Sequence, residues 1–222
     1  MKAVIFSFLT LSLLFLNSCS ADAQRWGKGI KGEGPVVEKT YDMDDFTGLG
    51  LGISATVYIK KGSSNTVTIK AQENILENID MEVDDGSLGL EFDRNVRDAE
   101  PISVYLEMDE IRELAIGGSG DIKVEDRFTG LGAVELAIGG SGSIELMGSA
   151  QSVEISVAGS GDMKCGDLEV DRAEVSIAGS GDVMIHVKDN LEVSIAGSGD
   201  VRYKGSPQVE SSIVGSGDVR AM

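Results

Sequence analysis

Six short phrases hold the residues whose type and spacing could do chemistry. They are Gly118-Ser119-Gly120-Asp121, Gly140-Ser141-Gly142-Ser143, Gly159-Ser160-Gly161-Asp162, Gly179-Ser180-Gly181-Asp182, Gly197-Ser198-Gly199-Asp200 and Gly215-Ser216-Gly217-Asp218. Their first glycines are 22, 19, 20, 18 and 18 residues apart. Asp121, Asp162, Asp182, Asp200 and Asp218 therefore share one frame position, which Ser143 interrupts, and a serine precedes the second glycine in every copy. If the copies stack, neighbouring carboxylates lie about 5 Å apart.

Three chemistries fit such a column. Carboxylates with backbone carbonyls can hold Ca²⁺, which takes six to eight oxygens; Asp162, Asp182 and Asp200 are the candidate ligands. The Ca²⁺-binding nonapeptide roll spaces its Asp differently and has half this period. Two carboxylates about 5 Å apart also suit a retaining glycosidase, but any stacked Asp column meets that distance. The third is structural: each Asp closes its own turn by accepting backbone N–H groups, as Asx turns do. The structural reading is preferred, so this ladder is assigned no catalytic residue. The serine column has no repeating base beside it, and six equivalent nucleophiles make no mechanism. The single histidine, His186, follows inward Ile185 and so points outward. No Lys or Arg is read as recurring beside the Asp column to neutralise a uronate. Aromatics, at 5 %, are too few to offer many stacking platforms for sugars.

The phrases need elements to hold them. Before each copy runs an alternating stretch such as Val153-Glu154-Ile155-Ser156-Val157 or Ala173-Glu174-Val175-Ser176-Ile177. After it comes a shorter one such as Met163-Lys164-Cys165 or Val201-Arg202-Tyr203. A period of two marks half-buried strands, and Gly-Ser-Gly-Asp is turn chemistry. With a third stretch such as Leu168-Glu169-Val170, about 20 residues make one coil of a parallel β-solenoid, whose stacked coils bury a continuous core. An antiparallel sandwich is the competing architecture, but it does not require identical turns in identical register. Cys165 takes the inward position held elsewhere by Val124, Leu146, Ile185 and Tyr203, and reads as a small buried side chain.

Repeated alternating strands ending in Gly-Ser-Gly-Asp, with Asp45-Phe46-Thr47-Gly48-Leu49 upstream and Arg202-Tyr203-Lys204-Gly205 near the end, resemble the head GIN domain, a family of exported bacterial proteins described as auto-transporter adhesins. The resemblance spans about Phe46 to Val219. It implies a right-handed parallel β-helix and no established biochemical activity.

Along the chain, an apolar run from Ala3 to Leu16 after Met1-Lys2 is too short to span a bilayer and reads as an export signal. Cleavage after Ala23 and lipidation of Cys19 in Leu16-Asn17-Ser18-Cys19 are both open. The organisation expected is residues 1–23 as signal, 24–45 as linker and first strand, and 46–222 as solenoid. Trp26 is expected to cap an open end. Between Phe46 and Met108 the alternation continues without the phrase. Its segments, from Ile53-Ser54-Ala55 to Ile102-Ser103-Val104, are read as about three irregular coils, with Asp84-Asp85-Gly86 as a turn and Arg94 to Glu100 as a polar loop. Added to six phrase-bearing coils, they give roughly nine. Ser211 replaces an inward Val or Ile in the last copy, as suits a coil facing water.

The chain has 19 basic and 37 acidic residues, for a net charge of −18. This excludes a general nucleic-acid footprint and disfavours adsorption to an anionic membrane, leaving a lipid anchor as the membrane link. The expectation is a non-catalytic adhesin-like binding or scaffold module. It would be periplasmic, outer-membrane-anchored or extracellular in a Gram-negative bacterium. Its expected partner is an extracellular polymer or cell-envelope component, or a second copy through the solenoid ends. A polysaccharide-acting enzyme and a Ca²⁺-stabilised spacer are the alternatives.

Overall fold

The computed structural model describes residues 29–222. The signal segment, Cys19 and Trp26 lie outside the described residues. The fold is 70 % strand and 2 % helix, so almost every element belongs to one sheet system. The regular part winds as a β-solenoid of about five turns with about 20 residues per turn. Its turns run from Glu113–Ile116 through strands Phe128–Gly140, Gly148–Gly159, Asp162–Gly179 and Val183–Gly197 to Gln208–Gly215. Each is parallel to the next and in register, as in Ile138↔Val157, Val157↔Ile177, Ile177↔Ile195 and Ile195↔Ile213.

Alternation explains the core. Every second residue points inward, so Val153, Ile155 and Val157 are buried while Glu154 and Ser156 are exposed. Cys165 is fully buried, as its frame position requires, and burial pushes its thiol up to about 12. One hydrophobic core runs from Phe46 to Val201. Among the described residues this core continues through the N-terminal strands.

The expected nine coils are not formed. Residues 46–108 are not three successive coils but a reordered cap. Gly48–Leu51 stacks parallel on Glu113–Ile116, and Ala55–Lys61 stacks parallel on Asp121–Val124. The chain then leaves the stack. Strand Thr66–Gln72 runs antiparallel, a single helical turn Glu73–Leu76 follows, and Ile79–Asp84 forms a hairpin with Ser87–Phe92. Asp85 and Gly86 carry φ of 48° and 76° at that hairpin, the left-handed pair that a tight two-residue turn favours. Only then does the chain supply the layer outside Gly48–Lys61, through Ser87–Phe92 and Ile102–Met108. The layers are thus out of chain order. Alternation specifies which side chains face inward, but not which strand is the neighbour or which way it runs.

The supposed linker and polar loop also pair. Ile30–Lys31 lies parallel to Val96–Asp98. Val36–Asp42 forms the antiparallel edge on Thr66–Gln72.

Candidate functional site

The phrase is a coil-to-coil device built by backbone geometry. In the first-glycine column Gly179 has φ of 140°, and a Cβ there would lie 2.1 Å from the Gly159 carbonyl oxygen. Only glycine lets successive turns approach so closely. The approach allows the Ser180 N–H to donate to the Gly159 carbonyl at 2.8 Å, and Ser160, Ser198 and Ser216 repeat that bond on their own preceding coils.

The carboxylates serve the same purpose, but not as the sequence suggests. Asp121, Asp162, Asp182 and Asp200 each accept from the coil that follows rather than closing their own turns, while Asp218, in the last coil, meets only Arg220. The Asp200 N–H donates to Asp182 Oδ1 at 3.1 Å, the Asp218 N–H to Asp200 Oδ1 at 3.2 Å, and the Asp182 N–H to Asp162 Oδ1 at 3.4 Å. Where the ladder is interrupted, Ser143 donates to Asp121 Oδ1 through both its N–H and its hydroxyl. A second correction concerns the neighbouring cations. Arg202 lies 3.9 Å from Asp182 and 3.7 Å from Asp200, and Arg220 lies 3.5 Å from Asp218. The signal was readable: a basic residue stands two positions after Asp121, Asp162, Asp200 and Asp218, as Lys123, Lys164, Arg202 and Arg220. Arg202 thus sits between two carboxylates of neighbouring coils, and Arg220 lies beside the last of them. Among the described residues, no group of three or more His, Cys, Asp and Glu is arranged to hold one.

Beside this column run Lys123, Glu145, Lys164, Met184, Arg202 and Arg220 in register. At its N-terminal end two of the few aromatics come together. Tyr58 and Tyr105 stack with centroids 5.1 Å apart. Lys70 covers Tyr105 and Lys123 covers Tyr58, so the outer ring faces are occupied. Lys70 also meets Glu38 at 2.9 Å, which raises its pKa. His186 is half-buried, in register with Glu169 and Lys204 and apart from the serine column.

A different face carries the most regular surface. Glu113, Glu135, Glu154, Glu174, Glu192 and Glu210 form one outward column. Sequence reasoning did not single them out, although a glutamate stands five residues before the first glycine of all six phrases, more regularly than the Asp follows it. All six are exposed. Among the described residues none makes an ion pair. Partial burial and the charges of Glu174 and Glu135 raise the pKa of Glu154. Next to the column stand Ala137, Ser156, Ser176, Ser194 and Ser212, and beyond them Gly139, Ala158, Ala178, Ala196 and Val214. The small side chains leave a shallow trough of about 730 Å³ along the stack. On the other flank a groove of about 330 Å³ separates the glutamates from Ser152, Arg172 and Asn190.

This constellation of stacked coils, glycine turns and outward columns agrees with the comparisons. The family model described as "Putative auto-transporter adhesin, head GIN domain" matches residues 45–207. The chain belongs to the head GIN domain family. Solved structures of similar fold include a putative adhesin from Bacteroides fragilis, at 21 % identity and a TM-score of 0.71, covering 87 % of this chain and 100 % of that one. A putative adhesin from Parabacteroides merdae matches at 22 % identity and a TM-score of 0.54, covering 87 % and 98 % of the two chains. A putative lipid binding protein from Parabacteroides distasonis matches at 20 % identity and a TM-score of 0.54, covering 87 % and 99 %. At these identities the structures establish the fold. Among curated proteins no significant match is found.

Proposed function

We propose that this head GIN domain is an exported, non-catalytic binding module that lays an extended, repetitive polymer along the face bearing the glutamate, serine and alanine columns. The observation that carries the reading is register: three outward columns repeat with every coil, about 4.8 Å apart, and small side chains flank the glutamates until Val214 in the last coil. A repeating ligand meets the same groups at every step, so weak contacts add along its length. Hydroxyl or cationic groups on an extracellular or cell-envelope polymer suit the serines and glutamates. The adhesin description of the family supports a binding role.

The proposed organisation keeps residues 1–23 as an export signal, with lipidation of Cys19 as the anchored variant, residues 24–45 as the lead-in and 46–222 as the binding body. Turnover is not part of the proposal. Asp182 and Asp200 already accept backbone amides of the next coil and lie beside Arg202. Pull-down on insoluble cell-envelope polysaccharide tests the binding. The natural chain should co-sediment, and Ser176→Arg with Ala178→Arg should abolish it while leaving the melting temperature unchanged. Equal binding by that variant, or none by either protein, overturns the proposal. Turnover of such a polymer that is lost in Asp182→Ala would establish an enzyme instead.

A further inference from the structure

The last coil is unlike every other. Val209 and Ile213 occupy inward positions in register with Leu191 and Ile195, yet they are 38 % and 40 % exposed where their counterparts are 1 % and 2 %. Among the described residues Gln208–Gly215 pairs only with Val183–Gly197, so its outer backbone edge has no strand beside it. An unpaired apolar edge is a template for another strand.

We infer that this edge is a self-association surface: Gln208–Gly215 pairs antiparallel with the same strand of a second copy, in a register centred on Ser211. Charge and side-chain pattern together select this arrangement. Residue-centred registers keep inward residues inward on both copies; centring on Ser211 or Ser212 pairs most of the strand, whereas centring on Ile213 leaves Val209 uncovered. Centring on Glu210 opposes Glu210 to itself, and like charges directly opposite destabilise a pair. Centring on Ser212 sets Ser211 against Ile213 of the partner subunit and Glu210 against Val214 of the partner subunit. Centring on Ser211 sets Val209 against Ile213 of the partner subunit and Glu210 against Ser212 of the partner subunit, so apolar meets apolar and acid meets hydroxyl.

Head-to-tail growth is disfavoured by the opposite end. There the edge strand Ile79–Asp84 turns Asp80, Glu82 and Asp84 outward, where the glutamate column of another copy would arrive. The other N-terminal edge, Val36–Asp42, places Lys39 on its core-facing side opposite Ile69, and an inward-pointing charge blocks pairing. The contact is therefore isologous and closes at two copies.

Sedimentation equilibrium of the purified protein tests this. The expected result is a monomer–dimer equilibrium that stops at the dimer and tightens as salt screens the net charge of −18. Ile213→Glu should weaken it by about tenfold or more, with an unchanged circular dichroism melt at dilutions where both proteins are monomeric. In a Cys19→Ser background, Ser211→Cys should oxidise to a disulfide-linked dimer and Ser212→Cys should not; Cys165 is fully buried and does not compete. A monomer at every salt concentration, a filament, or an Ile213→Glu protein that is folded and equally dimeric would overturn the inference. Cross-linking at Ser212→Cys to the same extent would overturn the register.

Discussion

The two ends of this solenoid solve one problem differently. At the N-terminal end the chain leaves coil order, reverses direction and closes over the stack. Ile75 and Leu76 of the helical turn are buried there, and the antiparallel edge carries Lys39 on its core-facing side. At the C-terminal end no such cap forms among the described residues, and residues 208–216 are all exposed. Terminal repeats must differ from internal ones because one of their neighbours is missing. Here one end differs in topology, while the other differs in little more than Ser211 replacing an inward valine. The contrast teaches that the regular coils are stabilised by their neighbours, and that a capped end requires a change of strand direction.

Substitutions at matched positions measure how far the two ends differ. The largest effect is expected within the stack. Gly179→Val forces a side chain onto the Gly159 carbonyl and should prevent folding or cost more than about 4 kcal/mol, read by urea denaturation. In the cap, Gly86 has a positive φ but open space around its Cβ position. Gly86→Ala should cost only about 1 kcal/mol of backbone strain.

Next comes one column at two heights. Ile177→Ala in a middle coil should cost about 2–4 kcal/mol. Ile213→Ala in the terminal coil of the same column should cost less than about 1 kcal/mol, since it is already 40 % exposed. That small cost applies to the dilute monomer; at concentrations where two copies pair, Ile213 is covered and the cost should rise toward that of Ile177. Melts at low and high protein concentration separate the two cases.

A smaller effect tests the bond between coils. Asp182→Ala removes the acceptor of the Asp200 amide and should cost about 1 kcal/mol, whereas Asp182→Asn should recover most of it. The same melts with EDTA and with millimolar Ca²⁺ examine the metal reading. No shift is expected if amides and arginines suffice, and a large shift would establish Asp162, Asp182 and Asp200 as ligands.

The smallest effect concerns the glutamate column. Glu154 has a raised pKa, so the folded state holds its proton more tightly than the unfolded chain does. Its stabilising protonation is present below the ordinary value of 4.5 and is lost as pH rises through the folded value. Glu154→Gln should therefore be slightly more stable than the natural chain near neutral pH, by about 0.5 kcal/mol or less after solvent screening. The advantage should vanish as pH falls below the ordinary carboxyl range. A pH series of melting temperatures shows either this convergence or its absence.

Much of this protein was legible residue by residue. Period-two alternation placed Ile155, Val175 and Cys165 inside, and the recurring phrase gave the turns and the coil length. The glutamate column was equally written in the spacing but went unread, because exposed glutamates in alternating strands look like ordinary solvent-facing residues until stacking aligns them. The count of nine coils failed for a physical reason. Thr66–Gln72 and Ile79–Asp84 alternate just as coil strands do, but they pair antiparallel.

The sequence by itself determined the side of the sheet on which each residue lies, where the chain turns and how many residues complete a coil, because these depend on neighbours within a few positions. Long-range pairing settled that Ser87–Phe92 and Ile102–Met108 lie outside Gly48–Lys61, that Asp121, Asp162, Asp182 and Asp200 serve the next coil, and that among the described residues one end is capped and the other is not. Those outcomes depend on which strand comes to rest beside which. Residues about 20 or more apart must meet for that, and the energy of their meeting is set by the finished stack rather than by local pattern.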